Sequence, residues 1–150
     1  MDITFLNDQL ALGDGIWTAD RMAMLAAAGF THIVDLQAEF DDTELGRQFG
    51  LEVLWNATLD DFQPKDAAFF QRSVNFALAA LREPENRVYV HCAAGVHRAP
   101  LTAAALLCHL GYDVESAIVL IRRLRPIADF PAVYVDSLRA YVESAVVRDA

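Results

Sequence analysis

The chain has 150 residues, of which 55% are hydrophobic and 22% charged, a balance that excludes disordered and fibrous classes and suits one domain burying about two-thirds of its unfolded surface. A net charge of −9 argues against nucleic acid and anionic membrane surfaces as partners, since both would be repelled within a screening length. Two cysteines, Cys92 and Cys108, make no disulfide framework and match no metal-ligand spacing. With no leader-like segment and no apolar run long enough to span a bilayer, the expectations are a single domain over residues 1–150, a reducing cytoplasmic location, no metal and no cofactor.

In chain order, Ile3 to Leu6 and Gln9 to Leu12 read as a hairpin around Asn7-Asp8. Thr18 is an N-cap for a helix over 19–28, stopped by Gly29. Phe30 to Leu36 reads as a strand. Asp41-Asp42-Thr43-Glu44 opens a short helix ending near Gly50, with acidic residues where the helix dipole favours them. Leu51 to Asn56 is the next strand, and Trp55 in it is expected in the core. Residues 57–64 form a loop marked by Asp60, Asp61 and Pro64. Lys65 to about Arg82 is an amphipathic helix with Phe69, Phe70, Val74, Ala77, Leu78 and Leu81 inward. Glu83 to Asn86 breaks it before the strand Val88-Tyr89-Val90. Helices then run from about Arg98 to Leu110, from Asp113 to about Leu124, and from after Pro131 to about Val146. Strands separated by helices predict an α/β domain, with a central, mostly parallel mixed sheet of about four to five strands flanked by helices on both faces.

The stretch from His91 to Pro100 carries the chemistry. Between the apolar strand and the Ala/Leu-rich helix lies a loop from Cys92 to Arg98. A strand feeding a tight loop that opens a helix aims backbone N–H groups of Ala93, Ala94, Gly95, Val96 and His97 into one concavity, and the helix N-terminus adds positive potential. Gly95 supplies backbone freedom, Pro100 suits the first helical turn, and Arg98 closes the ring with a planar fork matched to phosphate oxygens. The same field favours the thiolate at Cys92, so a nucleophile sits on the floor of an oxyanion cradle. Ligands of such sheets sit at strand carboxyl ends, where this loop lies. Cys108, inside an apolar helix, reads as a structural thiol.

His91-Cys92-(five residues)-Arg98 resembles the HCxxGxxR signature of the cysteine-dependent protein phosphatases, and the chain's length and order resemble their compact dual-specificity branch. The resemblance covers about Leu10 to Tyr141. It implies a two-step reaction: Cys92 attacks phosphorus, Arg98 and the loop amides hold the phosphoryl oxygens, and water later hydrolyses a phospho-cysteine. It also implies an Asp about thirty residues before the Cys as general acid and later base. Asp60, 32 residues upstream, fits that place, with Asp61 ranked second. His91 is expected to orient the loop, its side chain pointing away from Cys92 if the strand alternates, and the His97 side chain is expected at the rim. One departure stands out: many relatives carry Ser or Thr directly after the Arg, whereas here Ala99 offers no hydroxyl to the departing thiolate, which implies slower breakdown of the intermediate.

Two other classes compete. A phosphate-binding pseudophosphatase would capture phosphorylated partners without turnover, but binding alone does not require the thiol. A rhodanese-like sulfurtransferase also uses a loop cysteine at a helix start, but Arg98 suits a tetrahedral dianion. The expected partner is a phosphorylated substrate, first a phosphoprotein carrying phosphotyrosine, phosphoserine or phosphothreonine, with a phosphoinositide or phosphorylated glucan as alternatives. Oligomeric state is left open.

Overall fold

The computed structural model describes residues 1–149, with side chains through Ala145. A hairpin opens the chain: β1 (Ile3–Phe5) pairs antiparallel with β2 (Leu10–Gly13), and the Asn7 carboxamide oxygen closes the turn by accepting the N–H groups of Gln9 and Leu10, each at 2.8 Å, a local bond that Asn makes well. Then follow α1 (Ala19–Ala27), β3 (His32–Gln37), α2 (Thr43–Gln48), β4 (Glu52–Thr58), α3 (Ala67–Leu81), β5 (Val88–His91), α4 (Arg98–His109), α5 (Val114–Leu124) and α6 (Ala132–Asp149). The sheet order is β1-β2-β5-β3-β4, and every pair except β1·β2 is parallel. This is the expected mixed α/β sheet covered on both faces.

Side chains alternate across β5, so Val88 and Val90 join the core under α3 to α6 while Tyr89 joins the smaller core under α1 and α2. His91 falls on the Tyr89 side and stacks on its ring at 5.5 Å. Cys92 falls on the other side, in the larger core. Helix α4 is buried from Arg98 to Leu107, which explains an Ala/Leu composition with no polar stripe. It starts at the C-terminal edge of the sheet, so the cradle sits at the surface end of the most buried helix.

Three helices begin on side-chain caps: Thr18 accepts from Arg21 N, Asp66 from Phe69 N and Asp113 from Ser116 N, each satisfying a donor that a helix start leaves free. The cap at Asp66 starts α3 at Ala67 rather than Lys65. Asp42 is different. It stands at the N-cap position of α2 but caps nothing; its fully buried carboxylate turns toward His91 instead.

Trp55 is not in the core: it is 44% exposed. β4 is the sheet's edge, and the short α2 packs at Val53, against Gly46, leaving the Trp55 ring uncovered while its indole N–H donates to the Gln37 carbonyl at 2.6 Å.

Candidate active site

Cys92, Ala93, Ala94, Val96, His97, Arg98 and Asp60 line one cavity of about 260 Å³. Larger grooves, of about 470 and 440 Å³, lie on α5 and beside the β1–β2 turn. Neither has a cysteine or a histidine among its lining residues.

The cradle owes its shape to partners outside it. The Ala93 carbonyl accepts the Gly15 N–H at 2.9 Å and the Val96 carbonyl accepts the Asp129 N–H at 2.8 Å. The Ala94 and Gly95 carbonyls accept Arg125 Nη2 at 3.3 Å and Nε at 2.8 Å. Cys92 O lies 3.1 Å from His91 Nδ1. In a trans peptide the carbonyl and the following N–H point oppositely, and no peptide here is cis. With five successive carbonyls held outward, the N–H groups of Ala93, Ala94, Gly95, Val96 and His97 are turned toward the concavity. Gly95 is required: its φ is +69°, and a Cβ would meet the Gly13 carbonyl at 2.8 Å and the Arg125 guanidinium closer still. The Ala99 N–H lies 3.4 Å from Cys92 Sγ, so the sulfur faces the first turn of α4.

Arg98 is 4% exposed. Its Nη1 and Nη2 grip Glu39 at 2.6 and 2.8 Å, and Nη1 also reaches the Thr58 carbonyl at 3.0 Å. Nε is buried without a partner. A guanidinium has five donors in a fixed fork, so the end of the fork is spent on Glu39 and Nε is left without a partner. Burial opposes the charge on Arg98, but the Glu39 hydrogen bond together with the charges of Cys92, Glu39 and Asp60 outweighs it and raises the guanidinium pKa; the Glu39 bond in turn lowers Glu39.

Behind the cradle, His91 Nε2 lies 2.5 Å from Asp42 Oδ2 and 3.7 Å from Asp35 Oδ1, all fully buried. Asp35 accepts the backbone N–H groups of Gln37 at 2.9 Å and Asp42 at 3.0 Å, which folds the 38–42 turn carrying Glu39. Burial pushes Asp35 upward, the cationic character of His91 offsetting only part of it. Burial alone would lower His91, but the Asp42 hydrogen bond and Asp35 hold it above its ordinary value. This is the one cluster among the described residues with metal-ligand spacing. Its ligand atoms are already committed to one another and to backbone N–H groups, leaving only Asp42 Oδ1 free, so it fits a structural brace better than an ion.

Asp60 faces the cavity, with Tyr134 on one oxygen and His97 on the other, both at 2.9 Å. Asp61 does not line the cavity: its Oδ1 accepts Gln63 N and Lys65 Nζ at 3.1 and 3.2 Å, and the Gln63 N–H lowers its pKa. Cys108 lies in α4, its thiol pushed up to about 11 by burial. The sequence pattern missed Glu39, Asp35, Asp42, Arg125, Asp129 and Tyr134. Only spatial proximity marks them, since they lie outside the motif and share no spacing with it.

A nucleophile-type cysteine at a strand end, ringed by aimed amides and an arginine at the start of the next helix, defines the cysteine-dependent phosphatase class. A family model described as the dual specificity phosphatase catalytic domain matches residues 15–144, and the chain belongs to that family. Human dual specificity protein phosphatase 13B is 34% identical over 106 residues, 65% of this chain and 51% of that protein; the chain thus spans about half the length of that curated relative. The fold is similar to the crystal structure of PTPMT1 in complex with PI(5)P, with a TM-score of 0.88 at 20% identity over 99% of each chain. It is also similar to human DUSP28, with a TM-score of 0.83 at 22% identity over 97% of this chain and 96% of that one.

Proposed function

We propose that the chain is a metal-independent phosphomonoester hydrolase working through a phospho-cysteine, with phosphoproteins as substrate. The observation that carries this is the convergence of Cys92, the aimed amides, the free Nε edge of Arg98 and the Asp60 carboxyl on one small cavity. In this reading the Cys92 thiolate attacks phosphorus as Asp60 protonates the leaving oxygen. Water then attacks the phospho-cysteine, giving its proton to Asp60 and releasing phosphate and thiolate. Arg98 and the amides hold the three equatorial oxygens throughout. The positive charge that a metal would supply comes from these groups, so EDTA should leave activity intact. A reducing cytoplasmic setting, which keeps Cys92 free, and residues 1–150 as one catalytic domain belong to the same proposal.

Exposed aromatic rings beside the cavity-lining His97 and beside Glu39 support an aryl phosphate such as phosphotyrosine. Phe62 meets the edge of His97 at 5.2 Å, and Trp17 packs on Phe40, next to Glu39, at 5.5 Å; both Phe62 and Trp17 are exposed. A phosphoinositide is the second reading, favoured by the fold's similarity to the PTPMT1 structure holding PI(5)P, while the net charge of −9 opposes an anionic lipid surface. The test is hydrolysis of an aryl phosphate, a phosphotyrosine peptide and PI(5)P in EDTA, for wild type, Cys92→Ser and Asp60→Asn. Loss with Cys92→Ser and a flattened high-pH decline with Asp60→Asn are expected. A wild type that binds vanadate yet hydrolyses nothing would move the reading to a phosphate-binding module.

A further inference from the structure

The carboxyl of Asp60 belongs to a hydrogen-bonded row. Tyr134 Oη donates to its Oδ1 at 2.9 Å; its Oδ2 lies 2.9 Å from His97 Nδ1, and His97 Nε2 lies 3.0 Å from Asp129 Oδ2. Tyr134 is fully buried in α6. Its hydroxyl also accepts the Phe62 N–H at 3.1 Å, and its ring lies within 6° of parallel to Phe62. Phe62 holds a φ of 57°, a left-handed conformation that a bulky residue keeps only where its surroundings enforce it. The acid-bearing loop is therefore fixed at once by the cradle, by α6 and by the segment leading into it.

Both ring nitrogens of His97 face carboxylate oxygens, which when ionised can only accept. Two protons must then be shared among Asp60, His97 and Asp129. The tautomer of an imidazole follows from the bond that its other nitrogen makes. The His97 ring is thereby anchored through Nε2 on Asp129 while its Nδ1 meets Asp60 Oδ2, so the ring holds that oxygen in place.

We propose that Asp129, His97 and Tyr134 are positioning residues for Asp60: Asp129 anchors the His97 ring that holds one carboxyl oxygen, and Tyr134 fixes the other. This rests on Asp60 being the general acid. In the first step the sulfur–phosphorus bond forms and the phosphorus–oxygen bond breaks as Asp60 passes its proton to the leaving oxygen, leaving the row one proton short. In the second, water adds hydroxide to phosphorus and returns a proton to Asp60 as the sulfur–phosphorus bond breaks, restoring it.

The test uses aryl phosphates with leaving phenols of graded acidity, on Asp129→Asn and Tyr134→Phe, each alone and combined with Asp60→Asn. An amide at 129 can turn N–H as readily as C=O toward His97 Nε2, so it anchors the ring less firmly. Asp60→Asn is expected to lower kcat/KM, which reports the step that expels the phenol, about a hundredfold for the most basic leaving group and little for the most acidic. Asp129→Asn and Tyr134→Phe should each lower kcat/KM about tenfold for the most basic leaving group, leave the most acidic one unaffected, keep vanadate inhibition within about twofold, and add nothing in the Asp60→Asn background. Losses equal across all leaving groups, or losses that multiply with Asp60→Asn, overturn the positioning roles. An Asp60→Asn variant with no leaving-group dependence overturns the acid assignment beneath them, and the two failures are read separately.

Discussion

Arg125 lies far along the chain from the Cys92–Arg98 loop but touches it directly, and its replacement by Lys tests whether backbone aim is what makes the loop bind oxyanions. The guanidinium is 2% exposed and donates to Gly95 O, Thr4 Oγ1, Asp2 Oδ2 and Ala94 O at 2.8, 3.0, 2.9 and 3.3 Å. One ammonium cannot span the two carbonyls and the hairpin partners together. At least two charge-assisted bonds are lost, each worth about 1.5–3 kcal/mol, giving a stability loss on the order of 3–6 kcal/mol. The Gly95 and Val96 amides lose the anchors that aim them. Removing one oxyanion donor outright costs about 10²–10³ in kcat, and misaiming two should cost about 10² in kcat/KM, with a parallel loss of vanadate affinity. The assay is aryl phosphate hydrolysis and vanadate inhibition at a temperature where circular dichroism shows Arg125→Lys folded. A folded variant with vanadate affinity within about twofold of wild type refutes the reasoning.

The remaining predictions concern the other partners of the cradle. Glu39→Gln sets an amide N–H₂ against the Arg98 fork, and because Glu39 is 44% exposed its contribution is discounted to about 1.4 kcal/mol, a roughly tenfold fall in kcat/KM carried by KM; an unchanged KM contradicts the clamp. His91 has its pKa raised in the folded state, so the stabilisation it gives is fully present below its unfolded value of about 6.5 and lost as pH rises through the folded one. The Tm advantage of wild type over His91→Asn should therefore be larger at about pH 5.5 than at about pH 9, and an advantage independent of pH counts against a protonated His91. Ala99→Ser places a hydroxyl beside the Ala99 N–H that already lies 3.4 Å from Cys92 Sγ. Turnover should rise where hydrolysis of the intermediate is limiting, read as loss of a pre-steady-state burst; no burst in wild type and unchanged turnover in the variant would remove the idea.

Much of the architecture is legible in the sequence because its signals are local. Alternation and β-branching mark the strands, Thr18 and Asp113 mark helix starts, and the spacing from Cys92 to Arg98 marks the cradle within one short stretch of chain. Trp55 shows the limit of composition: a large aromatic in a strand is buried only if something covers that face, and strand order puts β4 at the edge. Asp42 shows the limit of cap rules, since an acidic residue at a helix start is taken up by a buried histidine 49 residues away.

The nucleophile loop, its arginine and the alternation of strands and helices follow from neighbouring residues, because backbone periodicity and a short motif are properties of adjacent positions. What turns that loop into a receptor comes from the packing of distant segments. Arg125 and Gly15 hold its carbonyls outward, Glu39 takes the end of the Arg98 fork, and Tyr134 and Asp129 complete the surroundings of Asp60. These groups come from both ends of the chain and carry no shared spacing. A hydrogen bond depends on where donor and acceptor lie in space, and that is set by how the sheet orders its strands and how α6 packs back against the loop after β4.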